Sequence, residues 1–176
     1  MTKKRFGGMK THVIFSAIFI LLLLIDRLTK QWAASSLMQG DIPVIDDVLV
    51  FHYLENRGAA WGFFENAFWL FYIITIVAIV IMAYFYAKIP FIKRYLPLRT
   101  LLIVLCAGAV GNFIDRAFYH YVVDFIYFKP IDFPVFNVAD IYVTVSVLVI
   151  VILLFFVYNK DEQLWNKKGS DDESDR

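Results

Sequence analysis

Cys106 is the chain's single cysteine, so no disulfide forms within it and packing alone holds the protein together. In its apolar run it reads as a small hydrophobe. Histidine is nearly as scarce: His12, His52 and His120 lack the spacing of metal ligands. The sequence contains no H-E-x-x-H, no G-x-S-x-G and no phosphate-binding P-loop, which leaves zinc-hydrolase, serine-hydrolase and nucleotide chemistry poorly supplied. No metal or other cofactor is expected. An excess of one charge is missing too. Lys and Arg total 17 against 16 Asp and Glu, a net charge of +1, and no basic stripe argues for a nucleic-acid partner. No internal repeat is visible.

Apolar surface is what the chain has in abundance. Hydrophobic residues make up 60% of its 176, with 18 Phe and 10 Tyr, and the mean hydropathy is +0.64. A soluble domain of this length does not need so much, and a disordered chain does not have it, so the class is membrane protein. Crossing hydrocarbon takes about 20 helical residues at about 1.5 Å rise each. Segments near 11–32, 68–87, 98–118 and 138–158 qualify. The expected fold is a membrane α-helical domain over 1–158, four transmembrane helices with a small extracytoplasmic β-sheet. The charged tail, 159–176, is expected to be disordered.

The N-terminus resembles a secretory signal, with Lys3, Lys4, Arg5 and Lys10 before an apolar run from Val13 to Ile25. Asp26, Arg27 and Lys30 interrupt the path to the small residues Ala33–Ser36, and Leu28 and Trp32 continue the helical face. Retention as a first transmembrane helix is the better reading. Basic residues set the orientation. They occupy the N-terminal tail, the 88–99 link (Lys88, Lys93, Arg94, Arg99) and the C-terminal tail (Lys160, Lys167, Lys168). The 33–67 connection has Arg57 alone against Asp41, Asp46, Asp47, Glu55 and Glu65. Both termini are then cytoplasmic, and the longer connections face outward.

Those outward connections carry structure of their own. VIDDVLVFHYL (44–54) is rich in β-branched and aromatic residues and is followed by a turn signal at Asn56-Arg57-Gly58. YVVDFIYF reads as a strand with Val122, Asp124 and Ile126 on one face. Trp61, Phe63, Phe64, Phe68 and Trp69 suit either an interfacial belt or a packed core.

A carboxylate at the bilayer centre costs about 2.5–3.5 kcal/mol on insertion scales, so acids kept near it usually have a task. Asp26 and Lys30, four apart, pair on one helix face, either easing insertion or anchoring a site. Gly108, Asn112, Asp115 and Arg116 fall along one stripe of the third helix, and Gly108 and Gly111 let a neighbouring backbone come close. Asp115 reads as a fixed acceptor, kept ionised by a basic neighbour such as Arg116, more than as a proton shuttle. Asn137 suits the N-cap of the fourth helix with Asp140 at N3, and capping alone explains that pair. It does not explain Asp124. If the connection folds back, Asp124 and Asp140 face one cleft, where two carboxylates cannot easily both ionise. The ionised member then takes a proton from water while the protonated member polarises a peptide carbonyl.

DRLTK (26–30), ENRGAAWG (55–62), GNFIDR (111–116), VVDFI (122–126) and FNVAD (136–140) resemble, in order and spacing, the motifs of bacterial lipoprotein signal peptidase, signal peptidase II. The resemblance implies an aspartyl endopeptidase of the cytoplasmic membrane with its site at the outer surface. It cleaves prolipoproteins just before a diacylglyceryl-modified cysteine. It makes Asp124 and Asp140 the catalytic pair. Asn56, Asn112, Arg116 and Asn137 would bind substrate or brace the pair, with Asp26 and Lys30 in support. Gly58, with Ala59 and Ala60, would let backbone lie against backbone near the substrate. Lipidated prolipoproteins, membrane lipid and globomycin-like cyclic peptides are the implied partners, and a monomer is expected. The competing readings are a proton-coupled transporter or channel subunit, testable by liposome flux, and a purely structural scaffold.

Overall fold

The computed structural model describes residues 9–58 and 68–159, apart from the Phe68 side chain. Four long helices dominate it: α1 (Met9–Ser36), α2 (Phe68–Lys88), α3 (Leu96–Tyr119) and α4 (Val138–Ile152). Each span is long and apolar enough to cross a membrane, α4 with the π-helical turn Leu153–Val157 that extends it. Large apolar side chains stay exposed along them, among them Leu21, Ile73, Val80, Leu148 and Val151. So much outward apolar surface fits hydrocarbon as the surrounding solvent.

Local chemistry sets the helix ends. Pro97 stands in the first turn of α3, where its missing N–H costs nothing. His120 closes α3 in a left-handed conformation (φ 64°), its N–H donating to the Arg116 carbonyl. Pro90 follows α2, where a helix cannot easily continue. The first helix outruns its expected end near residue 32 and reaches Ser36, because Ala33 and Leu37 bury themselves under the sheet.

The sheet has three antiparallel strands, β1 (Ile42–Ile45), β2 (Leu49–Asn56) and β3 (Val122–Phe128), in the order β1-β2-β3. The β-prone stretch from Val44 to Leu54 spans two strands and forms a hairpin. It turns at Asp46–Val48, with Asp47 at φ 55°. Between Phe51 and Leu54 the β2–β3 register shifts at a bulge, after which Leu54 faces Asp124 and Asn56 faces Val122. Val123 and Phe125 pack with Ala33 and Leu37, and Trp32 of α1 meets the rings of Phe51 and Phe125. A second core, with Met82, Tyr95, Leu98 and Tyr158, closes the opposite end of the bundle. Trp69 is largely exposed, whereas Trp61, Phe63 and Phe64 lie outside the described residues, as do Ala59, Ala60 and the tail from residue 160.

Candidate active site

Asp124 and Asp140 come from different elements and are joined by one residue between them. Phe136 makes an isolated bridge to Ile126, exchanging backbone hydrogen bonds of 2.8 and 3.0 Å, and this holds the next residue, Asn137, beside β3. The Asn137 amide nitrogen donates to Asp124 Oδ1 at 2.6 Å. Its carbonyl oxygen accepts the Asp140 N–H at 3.1 Å, and Asp140 Oδ2 accepts the Asn137 N–H at 3.0 Å. That reciprocal capping box starts α4. One asparagine thus caps the helix carrying Asp140 and grips the carboxylate of Asp124.

The remaining oxygens are held as firmly. Asn56 reaches diagonally across the sheet and donates to Asp124 Oδ2 at 2.7 Å. Its own oxygen accepts the Gly58 N–H at 3.0 Å, which fixes the amide and closes the turn after β2. Asn112 of α3 donates to Asp140 Oδ1 at 2.7 Å. Asp124, Asp140, Asn56, Gly58 and Arg116 line a cleft of about 510 Å³, whose other wall includes Phe133, Pro134 and Thr144. Asp124 is 2% exposed. Burial first, and the Asp140 charge second, push its carboxyl up to about 7, against the two asparagine hydrogen bonds.

Beneath the cleft lies a buried charge network. Lys30 donates to Asp26 Oδ2 at 2.9 Å and to Asn112 Oδ1 at 2.8 Å. It also lies 2.9 Å from Asp115 Oδ2, an ion pair off the hydrogen-bond axis. Arg27 pairs with the other Asp115 oxygen. Two cations and two anions balance there. Because Lys30 claims the Asn112 oxygen, the amide nitrogen is left to face Asp140. Asp26 Oδ1 accepts the Ala139 N–H at 3.2 Å, so a side chain of α1 caps a second donor in the first turn of α4.

Glycines make this packing possible. A Cβ at Gly111 would lie 2.6 Å from Asp26 Oδ2, and one at Gly108 would lie 2.6 Å from the Ala139 carbonyl. Gly111→Ala should therefore force Asp26 off the α4 terminus and cost about 1–3 kcal/mol, read as a lower unfolding midpoint in detergent.

Among the described residues, the site candidates singled out from sequence fall in or directly under the cleft, with two refinements. Asp115 is a fixed acceptor as read, but its ion pairs are to Arg27 and Lys30 of α1. Arg116, which lies over the Phe71 ring and lines the cleft, acts on it only through its charge, as it does on Asp124 and Asp140. The pair Asp26–Lys30 is at once the intrahelical ion pair and a tie to α3 and α4, so its two readings merge. Sequence reasoning missed Arg27, although it sits inside the DRLTK segment, and Thr144, which i, i+4 spacing from Asp140 places on the same helix face.

The description "Signal peptidase (SPase) II" belongs to a family model that matches residues 18–156. A lipoprotein signal peptidase of Clostridium tetani is 43% identical over 143 residues, covering 78% of this chain and 89% of that protein. A lipoprotein signal peptidase of Streptococcus pyogenes serotype M5 is 38% identical over 143 residues, covering 81% of this chain and 93% of that one. Among solved structures, a bacterial membrane enzyme determined by the in meso method at 2.3 Å superposes with a TM-score of 0.72 at 35% identity, covering 92% of this chain and 97% of that chain. A second, at 1.9 Å, gives 0.70 at 34% identity, covering 89% and 99%. With its four spans, its cleft and these relatives, the chain belongs to the signal peptidase II family of membrane proteases.

Proposed function

We propose that the protein is an aspartyl endopeptidase that removes the signal peptide from diacylglyceryl-modified prolipoproteins, cutting just before the lipidated cysteine. The observation that carries this reading is the Asn137 junction, which ties Asp124 and Asp140 to one cleft. One carboxylate, Asp140, takes a proton from water as the hydroxide adds to the scissile carbonyl carbon. The protonated partner, Asp124, donates to the carbonyl oxygen. Collapse of the tetrahedral species breaks the C–N bond as its hydroxyl returns a proton to Asp124, and the proton held on Asp140 passes to the leaving nitrogen. Asn56 and Asn112 keep the two carboxylates in place through their 2.7 Å hydrogen bonds, and Arg116 lies ready to orient the substrate.

The elevated Asp124 value gives the pH dependence a definite sign. An acid is protonated below its pKa, so the pair retains its working proton up to about pH 7. Above that Asp124 loses its proton, and kcat/KM should fall about tenfold per pH unit. A rate that stays flat from pH 6 to pH 9 is incompatible with this assignment.

The basic Lys88–Arg99 link and the acid-rich 33–67 connection support a topology with both termini cytoplasmic and the cleft at the outer face. A lipid-modified precursor then arrives by lateral diffusion with its acyl chains still in hydrocarbon. Globomycin-like cyclic peptides would compete for the same cleft, and nothing in the reading needs a second copy of the chain. The deciding experiment is gel-shift cleavage by the purified protein of a lipidated precursor, beside the same precursor lacking its diacylglyceryl group. Cleavage of the lipidated form alone is expected. Equal cleavage of both, or of neither, defeats the proposal.

A further inference from the structure

At the end of the bundle away from the sheet, a groove of about 620 Å³ opens between α1, α2 and α3. Phe15, Phe19, Met82 and Leu102 make its apolar lining, while His12, Ser16 and Ala83 on its walls are exposed. It is remote from the cleft: His12 lies fourteen residues before Asp26, about 21 Å along α1.

Arg99 lies one turn before Leu102, behind the groove's Tyr86 wall and not itself among the lining residues. It is 4% exposed, and among the described residues no carboxylate lies within ion-pair distance of it. Its guanidinium donates to the Ile89 carbonyl and stacks on Phe91 and Tyr86, with centroid distances of 4.1 and 4.5 Å, while Nε has no partner. Tyr86 itself lines the groove, and Phe15 touches the rings of both Tyr86 and Phe91. A buried cation without an anion is costly. Asp26, the nearest acid along α1, belongs to the far network, and among the described residues Lys10, Lys88, Lys93 and Arg94 make this end of the bundle basic.

We propose that an anionic phospholipid occupies this groove, one acyl chain lying between α1 and α2 and its phosphodiester supplying the negative charge that Arg99 lacks among the described residues. An amphiphile matches both features, because a free anion leaves the apolar groove unfilled and a zwitterionic lipid brings its own ammonium to compete with Arg99. Basic pockets between membrane helices recognise acidic headgroups by the same physics.

The test uses the purified full chain, carried from detergent into native mass spectrometry with equimolar phosphatidylglycerol and phosphatidylcholine of matched chains. The expected result is retention of the anionic lipid about tenfold over the zwitterionic one. Arg99→Gln should abolish that preference. Ala83→Trp fills the groove from an exposed position and leaves Arg99 in place, so it should abolish lipid retention while precursor cleavage stays unchanged. Where Arg99→Gln fails to fold, the Ala83→Trp comparison decides alone. Equal retention of the two lipids by the unaltered protein overturns the proposal. So does undiminished retention by Ala83→Trp, or displacement of the lipid by inorganic phosphate alone.

Discussion

Asp140→Asn and Asp124→Asn each leave an inserted, folded protein whose cleavage of a lipidated precursor is lower by roughly 10⁴-fold, the upper range for losing a general acid or base. The hydrogen-bond pattern makes the two changes unequal in other respects. Both oxygens of each carboxylate accept from N–H groups, so an introduced amide turns one donor toward another. At position 140 the facing donors are the Asn137 backbone and Asn112, whose amide Lys30 holds in place. At position 124 the Asn56 amide has the freedom to flip, at the expense of its hydrogen bond to Gly58. Each variant should lose about 1–3 kcal/mol of stability from the unsatisfied donor. That loss is far too small to explain the rate. Binding of the uncut precursor separates the roles: retained binding with no turnover marks chemistry, and a parallel loss of both marks a structural part.

Lys30→Met carries the largest expected effect on stability. The side chain is 1% exposed, and its ammonium is the shared partner of Asp26, Asp115 and Asn112. Removing it leaves two buried carboxylates to Arg27, which reaches only Asp115. Breaking a buried ion pair from one side costs about 3–5 kcal/mol, and thermal unfolding in detergent measures it. Asn112 also loses the contact that aims its amide at Asp140, so turnover should fall in whatever protein still folds. Adding Asp115→Asn restores charge balance, and the double variant should be less destabilised than the sum of the two single changes. Simple additivity speaks against a coupled network.

What was legible in the sequence follows from how local the physics is. The four spans stood out because some twenty consecutive apolar residues leave few alternatives. The Asn137–Asp140 capping box and the Asp26–Lys30 pair were readable because both partners lie within one helical turn. The hairpin between β1 and β2 was hidden, since β-prone residues flank Asp46 and Asp47 and no glycine marks the turn. Arg27 was missed for the opposite reason. Its partner Asp115 is 88 residues away on another helix, and nothing in DRLTK announces which charge will cross. The convergence of Asp124 with Asp140 was arguable from the fold-back of the connection, but the strut that accomplishes it, the Phe136–Ile126 bridge, has no sequence signal.

The ties from α1 to Asp115 and to the Ala139 N–H have a consequence for how the protein is made. The first span leaves the ribosome carrying Asp26, Arg27 and Lys30, while the groups that complete their contacts are synthesised late, Ala139 with the final helix. An incomplete chain therefore holds charges in the membrane without their full complement, and it lacks Asp140, half of the proposed catalytic pair. On the mechanism proposed above, the nascent chain stays inactive until α4 has been made and docked.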